Sequence, residues 1–165
     1  MISILIPCYD YNAYPLVSKL EKQALILNIN FEIICIDDAS FSSKNETNQK
    51  INLLTNSRFI ESKKNLGRIK NRLLLAENSQ YNWLLFTDVD CRVGKNWCLE
   101  ISKTFCKGNY IVGFSTVRKS NSLASKFQHI DFQILMVSAL SAVALKTPLA
   151  CIGQNQAYNK NLFIK

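Results

Sequence analysis

Short apolar runs alternate along the chain with longer amphipathic segments, and the two kinds of block have different periods. The short runs are rich in β-branched and aromatic residues and predict strands at residues 2–6, 31–36, 58–61, 83–87 and 110–117. In the longer segments apolar residues recur near the helical period, with charged residues on the other face. These segments predict helices at residues 14–27, 50–55, 66–76 and 97–105.

The order of these blocks predicts the fold class. Strands that alternate with helices build an α/β protein, here a Rossmann-like fold with a mostly parallel central sheet and helices on both faces. With 165 residues, the chain has the size of one domain, 1–165. In open sheets of this kind ligands bind at the carboxyl ends of the strands, where the polar clusters of this sequence fall.

Residues 132–145 form an apolar stretch of another kind. The stretch has no charged residue and lies between Asp131 and Lys146. A bilayer-spanning helix needs about 20 apolar residues, and this stretch is shorter and carries Gln133 and two serines. The pattern therefore favours a buried or interfacial helix over a transmembrane one.

Charge, cysteine content and the N-terminal residues indicate possible binding partners and the cellular compartment of the protein. The formal net charge of +8 attracts phosphates, nucleic acid or anionic lipid. The six cysteines include no CxxC pair, and several lie in apolar runs, which is typical of reduced thiols. Met1 leads into an apolar run without a basic segment or a cleavage site, so we expect a cytoplasmic location.

Asp88 and Asp90 are the strongest candidates for chemistry. They directly follow the apolar run at residues 83–87, and side-chain alternation sends both to one side while Val89 points inward. Two carboxylates in one small space suit a hard cation, Mg²⁺ or Mn²⁺, with phosphate oxygens completing its coordination. The alternative is a solvated turn, but the buried strand before the pair holds it at the rim of the sheet.

The second strand also ends in a carboxylate pair, Asp37 and Asp38. Either side chain could accept hydrogen bonds from a ribose hydroxyl or a base N–H group, or could cap the following helix together with Ser40. Tyr9, after the first strand, could stack on a planar base or simply pack at the rim.

Asn65, Gly67 and Arg68 lie at the start of the helix predicted at 66–76. Gly67 allows a tight turn, and Arg68 could reach a phosphate or a base. A set of neighbouring basic residues is predicted to form a solvated face that attracts anions: Lys63, Lys64, Lys70 and Arg72.

Several familiar motifs are missing from the sequence. It has no GxSxG, no GxxxxGK and no GxGxxG, which argues against a hydrolase elbow, a P-loop and a dinucleotide fingerprint. His129 is the only histidine and has no partner at zinc-ligand spacing. A nucleic-acid-binding role would rest on charge alone, so nucleic acid is not expected as a partner.

Five segments in order resemble the family 2 glycosyltransferases of GT-A fold. They are ILIPCYD, ICIDDAS, KKNLGRIKNRLLLA, WLLFTDVD and CIGQNQAYNK. The resemblance implies that residues 1–117 bind a nucleotide-sugar, with Pro7, Tyr9, Asp37 or Asp38, Asn65, Gly67 and Arg68 around the nucleoside. It also implies that Asp88 and Asp90 match the family's DxD, which binds Mg²⁺ or Mn²⁺ and the sugar diphosphate.

The end of the sequence resembles the acceptor side of that family. Gly153 and Asn155 fall in a stretch similar to the family's GxNxA, so residues 118–165 are expected to begin the acceptor-side part. Family members place an acidic pair beyond this stretch, one member of which is the catalytic base. Here the base is expected beyond Lys165, and no residue of the chain is assigned that role.

The resemblance implies an inverting transferase that uses a nucleotide-diphospho-sugar, with a lean towards uridine. The expected acceptor is a glycan or lipid-linked molecule of the cell envelope, reached by peripheral contact with the inner face of the membrane. Two alternatives stay open: a non-catalytic nucleotide-sugar-binding module, because the acidic pair is missing, and a nucleotidyltransferase. The nucleotidyltransferase is disfavoured because PCYDYNAY contains no glycine.

Overall fold

The computed structural model of the chain describes residues 1–27, 29–41, 44–118, 120–147 and 153–163, with only the backbone at Lys107 and Phe163. The strands are β1 (Ile2–Cys8), β2 (Phe31–Asp37), β3 (Ser57–Glu61), β4 (Trp83–Phe86), β5 (Tyr110–Val112) and β6 (Gln156–Asn159). The α-helices are α1 (Tyr14–Ile26), α2 (Lys44–Asn48), α3 (Gly67–Asn78), α4 (Trp97–Ser102), α5 (Leu123–Ala144) and α6 (Lys160–Phe163). Two 3₁₀ segments lie at Gln49–Leu53 and Phe105–Lys107.

The six strands form one mixed sheet in the order β3-β2-β1-β4-β6-β5. The pairs β1–β2, β1–β4 and β2–β3 are parallel, whereas β6 runs antiparallel to both of its neighbours, β4 and β5. The predicted α/β fold class with a mostly parallel sheet is confirmed, and the predicted strands at 2–6, 31–36, 58–61 and 83–87 are β1 to β4.

The strand residues divide between two hydrophobic clusters, one on each face of the sheet. Alternate side chains such as Ile4 and Leu85 pack with α1 and α4 on one face. Their neighbours along the strands, such as Leu5 and Phe86, pack with α3 on the other face. The two central strands, β1 and β4, are buried on both faces, and their residues are apolar except for Ser3.

Two side-chain clamps hold the loops at the carboxyl ends of β1 and β4. The buried Asn48 accepts the N–H of Ala13 at 2.8 Å and donates to the carbonyl of Tyr11 at 2.9 Å. On the other side Lys19 of α1 donates to the carbonyl of Val93 at 2.6 Å. These bonds satisfy loop backbone groups that have no sheet partner, so both loops are fixed next to the rim of the sheet.

Three predicted elements have the wrong bounds. In place of a helix at 50–55 the chain forms α2 and the first 3₁₀ segment, and Asn52 in that segment accepts the N–H of Phe59 of β3 at 2.7 Å. Helix α4 stops at Ser102 because the hydroxyls of Ser102 and Thr104 donate to carbonyls three residues back. Strand β5 ends at Val112 instead of residue 117.

Helix α5 differs most from its prediction. Its N-cap, Ser122, accepts the N–H of Ser125 at 3.2 Å, and the helix runs for 22 residues, well beyond the apolar stretch at 132–145. Only Met136 and Ala142 of the helix are buried, so of the two expected alternatives the buried helix is wrong and the interfacial helix stays a prediction. By length and composition α5 is the one helix in the described part of the chain that could cross a membrane, which is weak support for a span.

The described cysteines are all free thiols, of which three are buried, Cys91 is partly buried and Cys106 is exposed. Cys8, Cys35, Cys91, Cys98 and Cys106 are free, and Cys151 lies outside the described residues. Burial raises the pKa of the Cys98 thiol to about 12. A hydrogen bond with Cys8, followed by burial, raises the pKa of Cys35 well above its ordinary value. These two thiols therefore stay protonated at neutral pH and act as small apolar groups in the core.

Candidate functional site

The carboxyl ends of β1, β2 and β4 meet around a cavity of about 340 Å³, which we call the first cavity. Eight of the residues singled out from the sequence line it: Pro7, Tyr9, Asp38, Asn65, Gly67, Arg68, Asp88 and Asp90. The sheet brings them together because parallel strands end at the same edge. The polar residues that follow β1, β2 and β4 therefore lie together at one edge of the sheet, as expected for the carboxyl ends of its strands.

The two carboxylates at the end of β2 have different surroundings. Asp37 is fully buried and lies outside the lining of the first cavity. It accepts the backbone N–H of Ser40 at 2.8 Å and also the Ser40 hydroxyl. Asp38 lines the cavity and accepts the N–H groups of Leu66 and Gly67 at 2.7 and 2.8 Å. Asp38 therefore fixes the turn that begins α3, while Asp37 fixes its own loop.

Gly67 is required by backbone geometry, as predicted. Its φ of +79° lies in the left-handed region, while a Cβ added there would meet no atom within 4 Å. The turn places Asn65 and the exposed Arg68 at the mouth of the first cavity. Tyr9 also lines this cavity and is 51% exposed, which leaves its ring available to a planar ligand.

Asp88 and Asp90 follow β4 directly, with Val89 packed against the core between them. The side chain of Asp88 is 27% exposed, and Asp90 is exposed. Asp88 borders the first cavity only, whereas Asp90 also borders a second, larger cavity. The pair is thus held at the rim by a buried strand, and Asp90 stands where two cavities meet.

Arg72 was wrongly placed on a solvated basic face. Its side chain is only 13% exposed and reaches from α3 across the end of the sheet. Nη1 lies 3.9 Å from a carboxylate oxygen of Asp88 and donates to the carbonyl of Gly153 at 3.0 Å, while the guanidinium carbon lies 4.1 Å from the ring centroid of Phe86. Burial lowers the pKa of Arg72 from its ordinary value. Arg72 therefore ties Asp88 to the segment around Gly153.

Asn71 lines the first cavity but was not among the residues predicted from the sequence, although its spacing from Gly67 could have identified it. Asn71 borders the first cavity and is buried, and its amide donates to the carbonyl of Ile36 at 3.2 Å. Residues four apart lie on the same face of a helix, so Gly67 and Asn71 are neighbours at the rim. Cys8 and Val89 also border this cavity, but a core residue at a strand end has no distinguishing pattern.

The second cavity has a volume of about 540 Å³ and lies on the far side of Asp90. Asn155 borders it and acts as a clip, because its side chain accepts from the Trp97 indole at 3.0 Å and donates to the carbonyl of Phe114 at 3.1 Å. Gly113 permits this approach, since a Cβ there would collide with the Asn155 amide. Gly153 borders neither cavity and instead receives the hydrogen bond from Arg72.

At the boundary of the second cavity, Cys91 directly follows Asp90 in sequence and contacts Gln154. The Cys91 thiol lies 3.8 Å from the Gln154 amide oxygen, and both residues line the second cavity. Burial raises the pKa of the Cys91 thiol, so it is uncharged at neutral pH. This boundary therefore contributes no negative charge beyond that of Asp90.

The fold and the position of the site define a class, the α/β proteins of GT-A fold. Solved structures with this fold include TarS from S. aureus in complex with UDP-GlcNAc (TM-score 0.58, 19% identity, 73% of this chain and 35% of that one). TarS 1-349 alone matches with a TM-score of 0.61 and 15% identity over 98% of this chain and 48% of that one. The mannosyltransferase PcManGT from Pyrobaculum calidifontis, in complex with GDP-Man and Mn²⁺, matches with a TM-score of 0.66 and 13% identity over 98% and 45%.

The family follows from sequence as well as from fold. The sequence model described as Glycosyl transferase family 2 matches residues 3–165, and the chain belongs to this family. No curated protein sequence matches it. The chain spans less than half the length of the three solved structures.

Proposed function

We propose that the chain supplies the nucleotide-sugar site of an inverting glycosyltransferase that uses a UDP-sugar. The observation that carries the proposal is the position of Asp90 next to Asp88, on the border between the first and the second cavity. A transferase needs adjoining sites for two substrates, and this carboxylate pair lies where they adjoin. The complex of TarS with UDP-GlcNAc supports uridine as the base.

In this proposal the first cavity holds the nucleotide. Tyr9 stacks on the base, and Asp38 holds the loop that begins α3 against it. Arg68, exposed at the mouth, pairs with a phosphate or with the base edge. Asp37 is proposed to act through the loop after β2, because its carboxylate is already engaged by Ser40.

The carboxylates of Asp88 and Asp90 fit a divalent cation, Mg²⁺ or Mn²⁺. Both are accessible oxygen ligands on one cavity, and hard cations in phosphate sites combine one or two protein carboxylates with phosphate oxygens. The Mn²⁺ in the mannosyltransferase complex supports this assignment. When bound, such a cation neutralises charge on the diphosphate.

The transfer step is a single displacement at the anomeric carbon. The acceptor hydroxyl oxygen forms the new glycosidic bond on one face while the bond to the nucleotide diphosphate breaks on the other, so the configuration inverts. The hydroxyl proton passes to a carboxylate base, which we place beyond Lys165. Arg72, anchored on Phe86, orients Asp88 for binding the diphosphate.

We further propose that the acceptor is a glycan or lipid-linked molecule of the cell envelope and that the protein works in the cytoplasm at the inner face of the membrane. Helix α5 supports this, because exposed apolar residues cover it, including Phe127, Ile134 and Val137. A helix that is apolar on all sides is stable only against other apolar material. Co-sedimentation with lipid vesicles tests the proposed membrane contact. Failure of the protein to bind the vesicles at low salt would overturn it.

Calorimetric titration of UDP tests the nucleotide-sugar site. We expect binding in the presence of Mn²⁺, loss of binding in EDTA, and at least a tenfold rise in Kd, about 1.4 kcal/mol, in the double variant Asp88→Asn with Asp90→Asn. The matched control is Glu46→Gln with Glu77→Gln, which removes two exposed carboxylates elsewhere and should bind like the wild type. A folded wild-type protein that binds no UDP would overturn the proposal.

A further inference from the structure

The charged side chains that line the second cavity are unevenly distributed. Arg92 and Arg118 both border it, and Asp90 is the one carboxylate among the described residues of its lining. Both arginines are exposed, and within the described ranges neither has an acidic partner at ion-pair distance. The cavity is therefore lined by two guanidinium groups whose hydrogen-bond donors are free for a ligand.

The rest of the lining suits a sugar. Trp97 and Phe114 offer aromatic faces, and Phe114 is 48% exposed. Short hydroxyl side chains and an amide supply hydrogen-bonding groups, at Ser115, Thr116 and Gln154. A few polar groups placed between aromatic rings is the usual composition of a small-molecule site. The volume of about 540 Å³ is large enough for a sugar with a charged substituent.

We propose that the second cavity binds an acceptor that carries a phosphate ester, and that Arg92 and Arg118 bind this phosphate. The proposal rests on the proposed function, since it names the substrate class of the acceptor side. Guanidinium groups bind phosphate through paired, charge-assisted hydrogen bonds, and two of them can neutralise a phosphate monoester dianion. Neither arginine borders the first cavity, so this phosphate is distinct from the nucleotide diphosphate.

Two sources of phosphate fit the same chemistry. One is a soluble sugar phosphate; the other is a phosphate at the head of a lipid. Phe132 of α5 borders the cavity, so this helix, which carries exposed apolar residues, lies beside the cavity that the arginines line. A lipid phosphate would place its head group at the arginines and its chain along α5. The test therefore needs one arm for each source.

The soluble arm uses protein saturated with UDP and Mn²⁺, so that the first cavity is filled. N-acetylglucosamine 1-phosphate and N-acetylglucosamine are titrated separately and followed by NMR of the indole N–H groups. Trp97 borders the cavity, whereas Trp83 stacks on Phe105 in the core, which provides an internal control. We expect the phosphate compound to shift the Trp97 signal alone and to bind at least about tenfold more tightly than the plain sugar.

The variant Arg92→Gln with Arg118→Gln should weaken binding of the phosphate compound by at least about tenfold and leave the affinity for UDP unchanged. Its control is Lys22→Gln with Lys50→Gln, which removes the same charge from two exposed positions outside both cavities. The lipid arm compares phosphatidylcholine vesicles with and without phosphatidic acid, using the same three proteins.

The possible outcomes distinguish failure of the proposed phosphate site from failure of the proposed nucleotide-sugar site. Arginine-dependent binding of the sugar phosphate supports a soluble acceptor, and arginine-dependent binding confined to phosphatidic acid supports a lipid phosphate. UDP binding with no arginine dependence in either arm overturns the phosphate site and leaves the nucleotide-sugar site standing. Failure of UDP to bind overturns the proposed function, whatever the arginines do.

Discussion

Strand β4 and helix α5 are both rich in apolar residues, but they use them in opposite ways. Leu84, Leu85 and Phe86 of the strand are completely buried between the two clusters. In the helix, Leu135 is 49% exposed and Ile134 is 62% exposed. The comparison teaches that apolar content identifies an element, whereas burial depends on which neighbours the fold places beside it.

The largest expected effect comes from the same truncation made in each element. Leu84→Ala removes a fully buried side chain and should lower the free energy of unfolding by about 2–5 kcal/mol. Leu135→Ala on α5 should change it by less than about 1 kcal/mol, because little packing is lost. Urea denaturation of the two variants measures both values. Equal losses of unfolding free energy in the two variants would show that α5 is packed against the domain, as β4 is.

Arg72 extends the packed region to the rim of the sheet, so its replacement tests where that region ends. Arg72→Met leaves Asp88 without its cation and the Gly153 carbonyl without its donor, and should cost about 1–3 kcal/mol of stability. It should also weaken UDP binding, since Asp88 lines the first cavity.

Arg72→Lys is the matched control for this change. Lysine retains the charge, but one ammonium group cannot contact the Phe86 ring and also reach the Asp88 carboxylate and the Gly153 carbonyl. We therefore expect a smaller loss of stability than in Arg72→Met. Urea denaturation and calorimetric titration of UDP provide the two measurements. Wild-type stability in both variants would show that the side chain is not part of the packed region.

The smallest effect concerns the start of α5. Ser122→Ala removes the N-cap hydrogen bond to Ser125 and should cost the first turn about 1 kcal/mol, which corresponds to about fivefold faster amide exchange there. Because α5 packs so little, the midpoint of global unfolding should stay constant. Ser138→Ala, at an exposed position within the helix, is the control. A lowered global midpoint in Ser122→Ala would show that the helix unfolds together with the sheet.

Local patterns were sufficient for the parallel part of the fold. Strands β1, β2 and β4 each contain an apolar run of at least four residues, while β3 contains the shorter pair Phe59 and Ile60. Together with the helical periodicity of α1 and α3, the order of these elements predicts the α/β class. The ends of α4 and β5 were predicted at the wrong residues because each end depends on individual hydrogen bonds. One such bond joins Asn155 to Phe114, which lie far apart in sequence, and it lies next to the end of β5.

The first cavity could be predicted to the extent that its residues follow strands. Asp38, Asp88 and Asp90 directly follow or lie just beyond apolar runs, so the rule for parallel sheets brings them together. Arg72 could not be separated from Lys70, because both are basic residues on the same predicted helix. Only the packed structure shows that Arg72 turns towards Phe86 and Asp88.

The sequence also contained no indication that Arg92 and Arg118 line the same cavity. Arg92 lies shortly after Asp90, and Arg118 lies beyond β5, in segments without periodicity. Both arginines line the same cavity as Asn155, whose side chain is hydrogen-bonded to Trp97 and Phe114. A contact between three distant segments leaves no pattern in any one of them.

The position of β6 has a consequence for how the protein is made. In the described part of the chain, strand β5 joins the sheet only through β6, which lies antiparallel between β5 and β4. During synthesis the ribosome releases Tyr110–Val112 well before Gln156–Asn159, so β5 must wait unpaired while β1 to β4 can already associate. Closing such a long loop is the slow kind of step in folding. We therefore expect the nascent chain to pass through a state with a formed four-stranded sheet and an open edge at β4, where chaperones can bind.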